Sequence, residues 1–309
     1  MRKSIKLSLI VAFIVIIVTV ALFFANKPQS DWIGISLHSL SETEAQLTKE
    51  SGALGIRIDC YEEFGTAIEN AKTNNLEVLG ILDSWTMNNQ TTFSLDEFRH
   101  NVTYYVSTYA DYVDDWEICN EPVNPAVNWT LLNATLPKDM TEVVQFYISM
   151  VQIAAPIIRQ YDSTAKIVLF GGLNLWVGGD SNLELDKDFA ARLATMNIDK
   201  YGDAFSVHAY PWTNVTSYWN FNKFGDALSY YTGLFPSLEV WVTEAGHYVD
   251  VEGDEGQARY LRGTIQYFYG KVDRIFWYSL VDNPWEERHF GLIDENGAPR
   301  LAYYELNIK

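Results

Sequence analysis

Cysteine is almost absent, with Cys60 and Cys119 the two in 309 residues. No framework of bridges can be built from them, so a chain of this length must be held by its core; a single disulfide is conceivable outside the cell. Cations are scarce too: 22 Lys and Arg stand against 40 Asp and Glu, a formal net charge of −18. That mean field repels phosphate and excludes a nucleic-acid surface, while a neutral partner is unaffected by it. The five histidines are scattered with no His-x-x-x-His spacing, so no metal and no cofactor is expected. No glycine-rich phosphate fingerprint follows the first strand-like run, and neither an internal repeat nor a low-complexity tract is present.

What is present is apolar and aromatic. The chain is 48% hydrophobic and 15% aromatic, enough for a large core and incompatible with disorder. Arg2, Lys3 and Lys6 precede nineteen uncharged residues, 7–25, interrupted only by Ser8 and Thr19. That run can cross a bilayer as a helix with its cations inside. A cleavable signal peptide is the competing reading, but small residues at −3 and −1 are not evident around Phe23-Phe24-Ala25. Residues 1–30 are therefore expected to form a signal anchor and short link, with 31–309 an exported domain on the outside of the cell. Sequons at Asn89, Asn101, Asn128, Asn133 and Asn214 suit that address.

From residue 32 onward, apolar strand-like runs alternate with helical patterns. Strands are expected at 32–36, 53–59, 76–82, 116–121, 166–170, 204–210, 240–244 and 274–280, the fifth ending in Gly171-Gly172. Helices are expected between them, one opened by Ser41 as N-cap with an acidic first turn, another starting near Asp254. Near-continuous apolar strands alternating with helices mean a parallel sheet covered on its outer face. Eight such units can close on themselves, so the expected fold is an α/β (β/α)8 barrel preceded by one N-terminal hydrophobic helix.

Two strand runs end alike. Trp116-Glu117-Ile118-Cys119-Asn120-Glu121-Pro122 and Val240-Trp241-Val242-Thr243-Glu244-Ala245-Gly246 each hand a carboxylate to whatever lies beyond the strand. In a closed barrel the C-terminal strand ends surround one pocket, gathering Arg57, Asp83, Asn120, Glu121, His208, Tyr210, Glu244 and Trp277. His208 and Tyr210 alternate along their strand and share a face. Two carboxylates, hydroxyl-binding polar groups and aromatic surface are what glycoside hydrolysis uses. A cation beside Glu244 would keep it ionised, and Arg57 is the candidate. Trp85, Trp129, Trp212, Trp219 and Trp285 fall in or near mouth loops; Trp212 and Trp285, close after strands six and eight, are the first choices for stacking on sugar rings.

These segments, with His208-Ala209-Tyr210-Pro211, Phe276-Trp277-Tyr278-Ser279-Leu280 and the tail His289-Phe290-Gly291-Leu292-Ile293-Asp294, resemble the large clan of (β/α)8 retaining glycoside hydrolases. Cellulase-like family five and β-xylosidase-like family thirty-nine belong to it, and the likeness spans roughly residues 31 to 309. The resemblance implies Glu121 as acid/base, Glu244 as nucleophile and Asn120 as ligand of the sugar 2-hydroxyl. It further implies Tyr210 bonded to the nucleophile, His208 near the acid/base, Arg57 steadying Glu244, and Trp277 flooring the sugar subsite. Strand three departs from family five, reading Ile81-Leu82-Asp83-Ser84-Trp85 where a histidine is expected, so the exact family stays open. The function expected is double-displacement hydrolysis of β-linked bonds in an extracellular oligo- or polysaccharide. A surface-glycan transglycosylase and a non-catalytic carbohydrate-binding barrel are the alternatives.

Overall fold

The computed structural model describes residues 32–83, 94–123, 140–175, 183–210 and 221–306. The expected N-terminal helix, Trp85, Trp129, Trp212 and Trp219 lie outside the described residues. Eight strands run as β1 (Ile33–Leu37), β2 (Gly55–Asp59), β3 (Glu77–Leu82), β4 (Asp115–Ile118), β5 (Lys166–Asn174), β6 (Ala204–Ala209), β7 (Glu239–Ala245) and β8 (Arg274–Tyr278). Each pairs in parallel with its neighbours, and β8 returns to β1 with Ile33 opposite Ile275 and Ser36 opposite Tyr278, closing the barrel. The helices are α1 (Glu42–Glu50), α2 (Phe64–Thr73), α3 (Leu95–Tyr109), α4 (Met140–Tyr161), α5 (Leu183–Thr195), α6 (Asn222–Leu234), α7 (Val249–Phe268) and α8 (Leu301–Glu305).

Local chemistry explains most boundaries. Ser41 caps α1 in a reciprocal box: its Oγ accepts from the Glu44 amide at 3.2 Å, and Glu44 Oε2 accepts from the Ser41 amide at 2.6 Å. Such caps contribute about 1 kcal/mol. Helix α7 begins five residues before the expected start at Asp254, because two helical segments join across Gly253, whose φ of 66° no other residue type adopts cheaply. Helix α4 is long and apolar enough to cross a membrane, yet ten of its 22 residues are buried within the protein, as expected of a core helix. Strand β5 does not stop at Gly171-Gly172 but continues to Asn174, its register against β6 shifting between Leu169 and Leu173.

The apolar core has three parts. One fills the space between strands and helices; a second, Leu79, Val168, Ala204, Trp241 and Phe276, plugs the barrel interior; a third, Tyr210, Tyr248, Tyr278 and Phe290, is a small aromatic cluster. Gly34 leaves room for that plug, since a Cβ there would sit 2.6 Å from the Phe276 ring. At the N-terminal ends of the strands, Asp114, Asp115, Asp203 and Asp273 each accept a backbone N–H from the start of a strand. Lys166 pairs with Glu239 and Arg274 with Glu77 at that same end, each at 2.7 Å. Toward the other end the interior turns polar, with Ser36, Arg57, Glu117, Ser206 and His208 all buried. Cys60 and Cys119 are buried free thiols.

Candidate active site

Arg57 lies in the barrel interior, 1% exposed, and four side chains accept from it. Its Nε donates to Glu117 at 2.5 Å, its Nη1 to Glu244 at 2.7 Å and Ser36 at 3.1 Å, and its Nη2 to Asn120 at 2.8 Å. Burial opposes the guanidinium charge, but the fields of Glu117 and Glu244 overcome it and raise the Arg57 pKa above its ordinary value. A buried arginine held by two carboxylates is costly to break, because removing one partner strands a charge. Geometry at one centre therefore fixes strands β1, β2, β4 and β7 relative to one another.

Glu244 receives a second donor, the Tyr210 hydroxyl, on its other oxygen at 2.5 Å. Burial works to raise its carboxyl, yet the His208 and Arg57 charges and the Tyr210 hydrogen bond outweigh that and hold it at about 2. Glu244 is thus the charged carboxylate at any ordinary pH. Glu121 is set up differently. Its backbone and that of Cys119 have positive φ, 43° and 72°, a conformation that costs on the order of 1–3 kcal/mol per residue and collects at functional sites. The segment is pinned from both sides: Asp83 accepts from the Asn120 amide at 3.3 Å, and the Glu121 amide donates to the Gly171 carbonyl at 2.7 Å.

His208 joins the two acids. Its Nδ1 lies 2.9 Å from Glu121 and 3.7 Å from Glu244. Burial lowers its pKa, but Glu244 and Glu121 act more strongly together and raise it, so Nδ1 carries a proton and donates to Glu121. One ligand atom each from Glu121, His208 and Glu244 falls within 4.8 Å of the others. A cation could bridge that spacing; here Arg57, Tyr210 and the His208 proton already supply donors to these carboxylates.

A model of the glycosyl hydrolase catalytic core matches residues 142–303, just over half of the chain. The chain belongs to that family. This glycoside hydrolase also resembles solved structures in fold. A family 39 glycoside hydrolase from the gut symbiont Bacteroides cellulosilyticus aligns at TM-score 0.64 and 18% identity over 91% of this chain and 64% of its own. A β-glycosidase aligns at TM-score 0.67 and 12% identity, over 91% and 96% respectively. A Bacteroides uniformis β-glucuronidase aligns at TM-score 0.60 and 15% identity, over 88% of this chain and 34% of its own. The hydrolase thus spans less than two thirds of the first and a third of the last. No curated protein matches the sequence.

Six of the expected site residues of the hydrolase, Arg57, Asn120, Glu121, His208, Tyr210 and Glu244, are joined in one network of hydrogen bonds, closed by the 3.7 Å ion pair of His208 with Glu244. Trp277 is not among them. Its strand partners Ile35 and Ala245 belong with it to the strand–helix core, it is fully buried, and its ring lies 6.0 Å from Tyr260 of α7. The error is one residue: on β8 the alternate positions Phe276 and Tyr278 face inward, so Trp277 faces the helices. Tyr278 takes the place at the mouth, packed with Tyr210 and Phe290. Trp285 is 91% exposed on the loop after β8 and borders a cavity of about 880 Å³ between the ends of β1, β2 and β8. Trp212 lies outside the described residues.

Three contributors of the hydrolase were missed in the sequence. Glu117 is a carboxylate inside an apolar strand, two residues before Cys119; that isolation was the available signal. Gly172 has φ of +95°, and a Cβ on it would lie 2.2 Å from the His208 ring. Asp186 on α5 is 6% exposed, and burial and the Glu121 charge push its pKa up to about 8, so a neutral acid sits near Glu121. Its place in the first turn of α5, where acids are common for the helix dipole alone, does not mark it in sequence.

Proposed function

We propose that this glycoside hydrolase cleaves β-linked O-glycosidic bonds with retention, through a covalent glycosyl-enzyme. The observation that carries the reading is the closeness of unlike acids: oxygens of Glu121 and Glu244 within 4.8 Å, one carboxyl held at about 2 and the other hydrogen-bonded to a proton carrier. Retaining enzymes set their carboxyls about 5–5.5 Å apart, whereas inverting ones leave about 6.5–9.5 Å for a water.

In the first step a Glu244 oxygen bonds to the anomeric carbon as the C–O bond to the leaving group breaks. Glu121 gives its proton to the departing oxygen. In the second, Glu121 takes a proton from water, the water oxygen bonds to the anomeric carbon, and Glu244 leaves as a carboxylate. Asn120, oriented by Arg57, offers its amide N–H to the sugar. The substrate is an oligo- or polysaccharide outside the cell, reached by a domain tethered through residues 7–25. A 2-fluoro glycoside of the right sugar should label Glu244, located by peptide mass spectrometry; a label on another carboxylate would reject the assignment.

A further inference from the structure

The cavity between the ends of β1, β2 and β8 has an acidic wall. Its polar face is a relay: His38 Nδ1 lies 2.9 Å from Asp59, His38 Nε2 lies 2.9 Å from the Tyr278 hydroxyl, and that hydroxyl donates to Glu286. For Tyr278 to donate onward, His38 must donate at both nitrogens and so carries a positive charge. Glu44, whose Oε2 accepts from the Ser41 amide, and Asp59 line it with Tyr278 and Trp285. Tyr278 links the cavity to the reacting atoms, since its ring lies 6.4 Å from Tyr210, the donor to Glu244.

His38 is the one base among the described lining residues, and both its nitrogens are committed. Asp282 is neutralised by Arg300 at 2.6 Å, which leaves that arginine engaged as well. The described segments that follow strands β1, β2, β7 and β8 (38–41, 60–63, 246–248 and 279–300) are equally poor in cations and contain only Arg288 and Arg300 as lysine or arginine. Arg288 lies over the Tyr248 ring at 4.7 Å. The cations paired at the barrel floor, Lys166 and Arg274, are at the opposite end.

We infer that this cavity is the glycone pocket and that Glu44 and Asp59 on its wall and Glu286 behind Tyr278, set against the committed cation His38, make it a site for uncharged or amino sugars that rejects hexuronic acids. The inference rests on the proposed glycosidase activity and separates this chain from the β-glucuronidase it is similar to in fold. Among the described residues a uronate carboxylate entering the pocket meets no uncommitted cation and faces two net negative charges. The hydroxymethyl of a neutral hexose or the ammonium of an amino sugar meets acceptors instead.

Matched nitrophenyl β-glycosides decide it: gluco against glucurono, galacto against galacturono, and the glucosaminide. At low salt the neutral sugar should exceed its uronide in kcat/KM by about fiftyfold. High salt should narrow that gap by screening. Glu44→Lys should narrow it by about tenfold, and Glu44→Gln, which keeps the capping acceptor, should narrow it less. A glucosaminide turned over faster than the glucoside identifies an amino sugar; the reverse order identifies a neutral one. A uronide hydrolysed as well as its neutral partner, or a gap unmoved by salt and by both Glu44 variants, overturns the inference. If no glycoside of any kind is turned over, the proposed activity is what fails. The pocket is then judged by Trp285 fluorescence, with Trp285→Phe as control. Quenching by neutral or amino oligosaccharides alone upholds the inference, and quenching by uronate oligosaccharides overturns it.

Discussion

At His208 two carboxylates compete for one proton, 2.9 Å away on Glu121 and 3.7 Å away on Glu244. The signs follow from that geometry. Glu244, lowered from 4.5 to about 2, contributes stability that is present above pH 4.5 and is lost as pH falls toward 2. His208, raised from 6.5, contributes stability that is present below pH 6.5 and is lost as pH rises through its folded value. The His208 proton is hydrogen-bonded to Glu121 and helps hold Glu244 ionised, so the alkaline limb of kcat/KM should lie above pH 6.5, the ordinary histidine value. His208→Gln removes one proton site and the largest cationic influence on Glu244, so the alkaline limb should fall and the acidic limb rise. A pH–rate profile unchanged in width would refute this coupling. At this scale the sequence was most legible where chemistry ends a strand, at Glu121, Glu244, His208 and Tyr210. It was least legible at Trp277, where strand parity, not residue type, decides which side a ring faces.

At the scale of elements, β5 shapes the acid/base more than any strand except β4, which carries it. The Gly171 carbonyl accepts from the Glu121 amide, and a Cβ at Gly171 would come within 2.5 Å of the Cys119 carbonyl. Gly172 leaves the space that the His208 ring occupies. The sequence reading took the two glycines as the end of a strand, whereas they form an irregularity inside it, with positive φ where β4 and β6 press closest. Glycine pairs signal special backbone equally in both cases, which is why sequence could not choose. Gly172→Ala should displace His208 by an ångström or so and lower kcat/KM by about a hundredfold. Circular dichroism should stay native. Activity within threefold of the parent would show that the ring has room, contrary to this packing.

Across the whole molecule, charge and architecture divide the barrel into a floor that stabilises and a mouth that reacts. Paired Lys166 and Arg274 close one end, and the acids with one buried arginine occupy the other. Eight alternating apolar strands made closure legible in sequence, because a parallel sheet of that number has no other way to lose its edges. The anchor proposed for residues 7–25 belongs to this scale as well. Protease treatment of intact cells should release the domain, and full protection would contradict an outward orientation. The central claim, that Glu121 and Glu244 divide acid/base and nucleophilic work across a gap too short for an inverting water, is tested most directly by proton NMR of the first-formed product. Hydrolysis of a β-glycoside should yield the β-anomer first, with the α-anomer growing in only by mutarotation. An α-anomer as the first product would contradict the account.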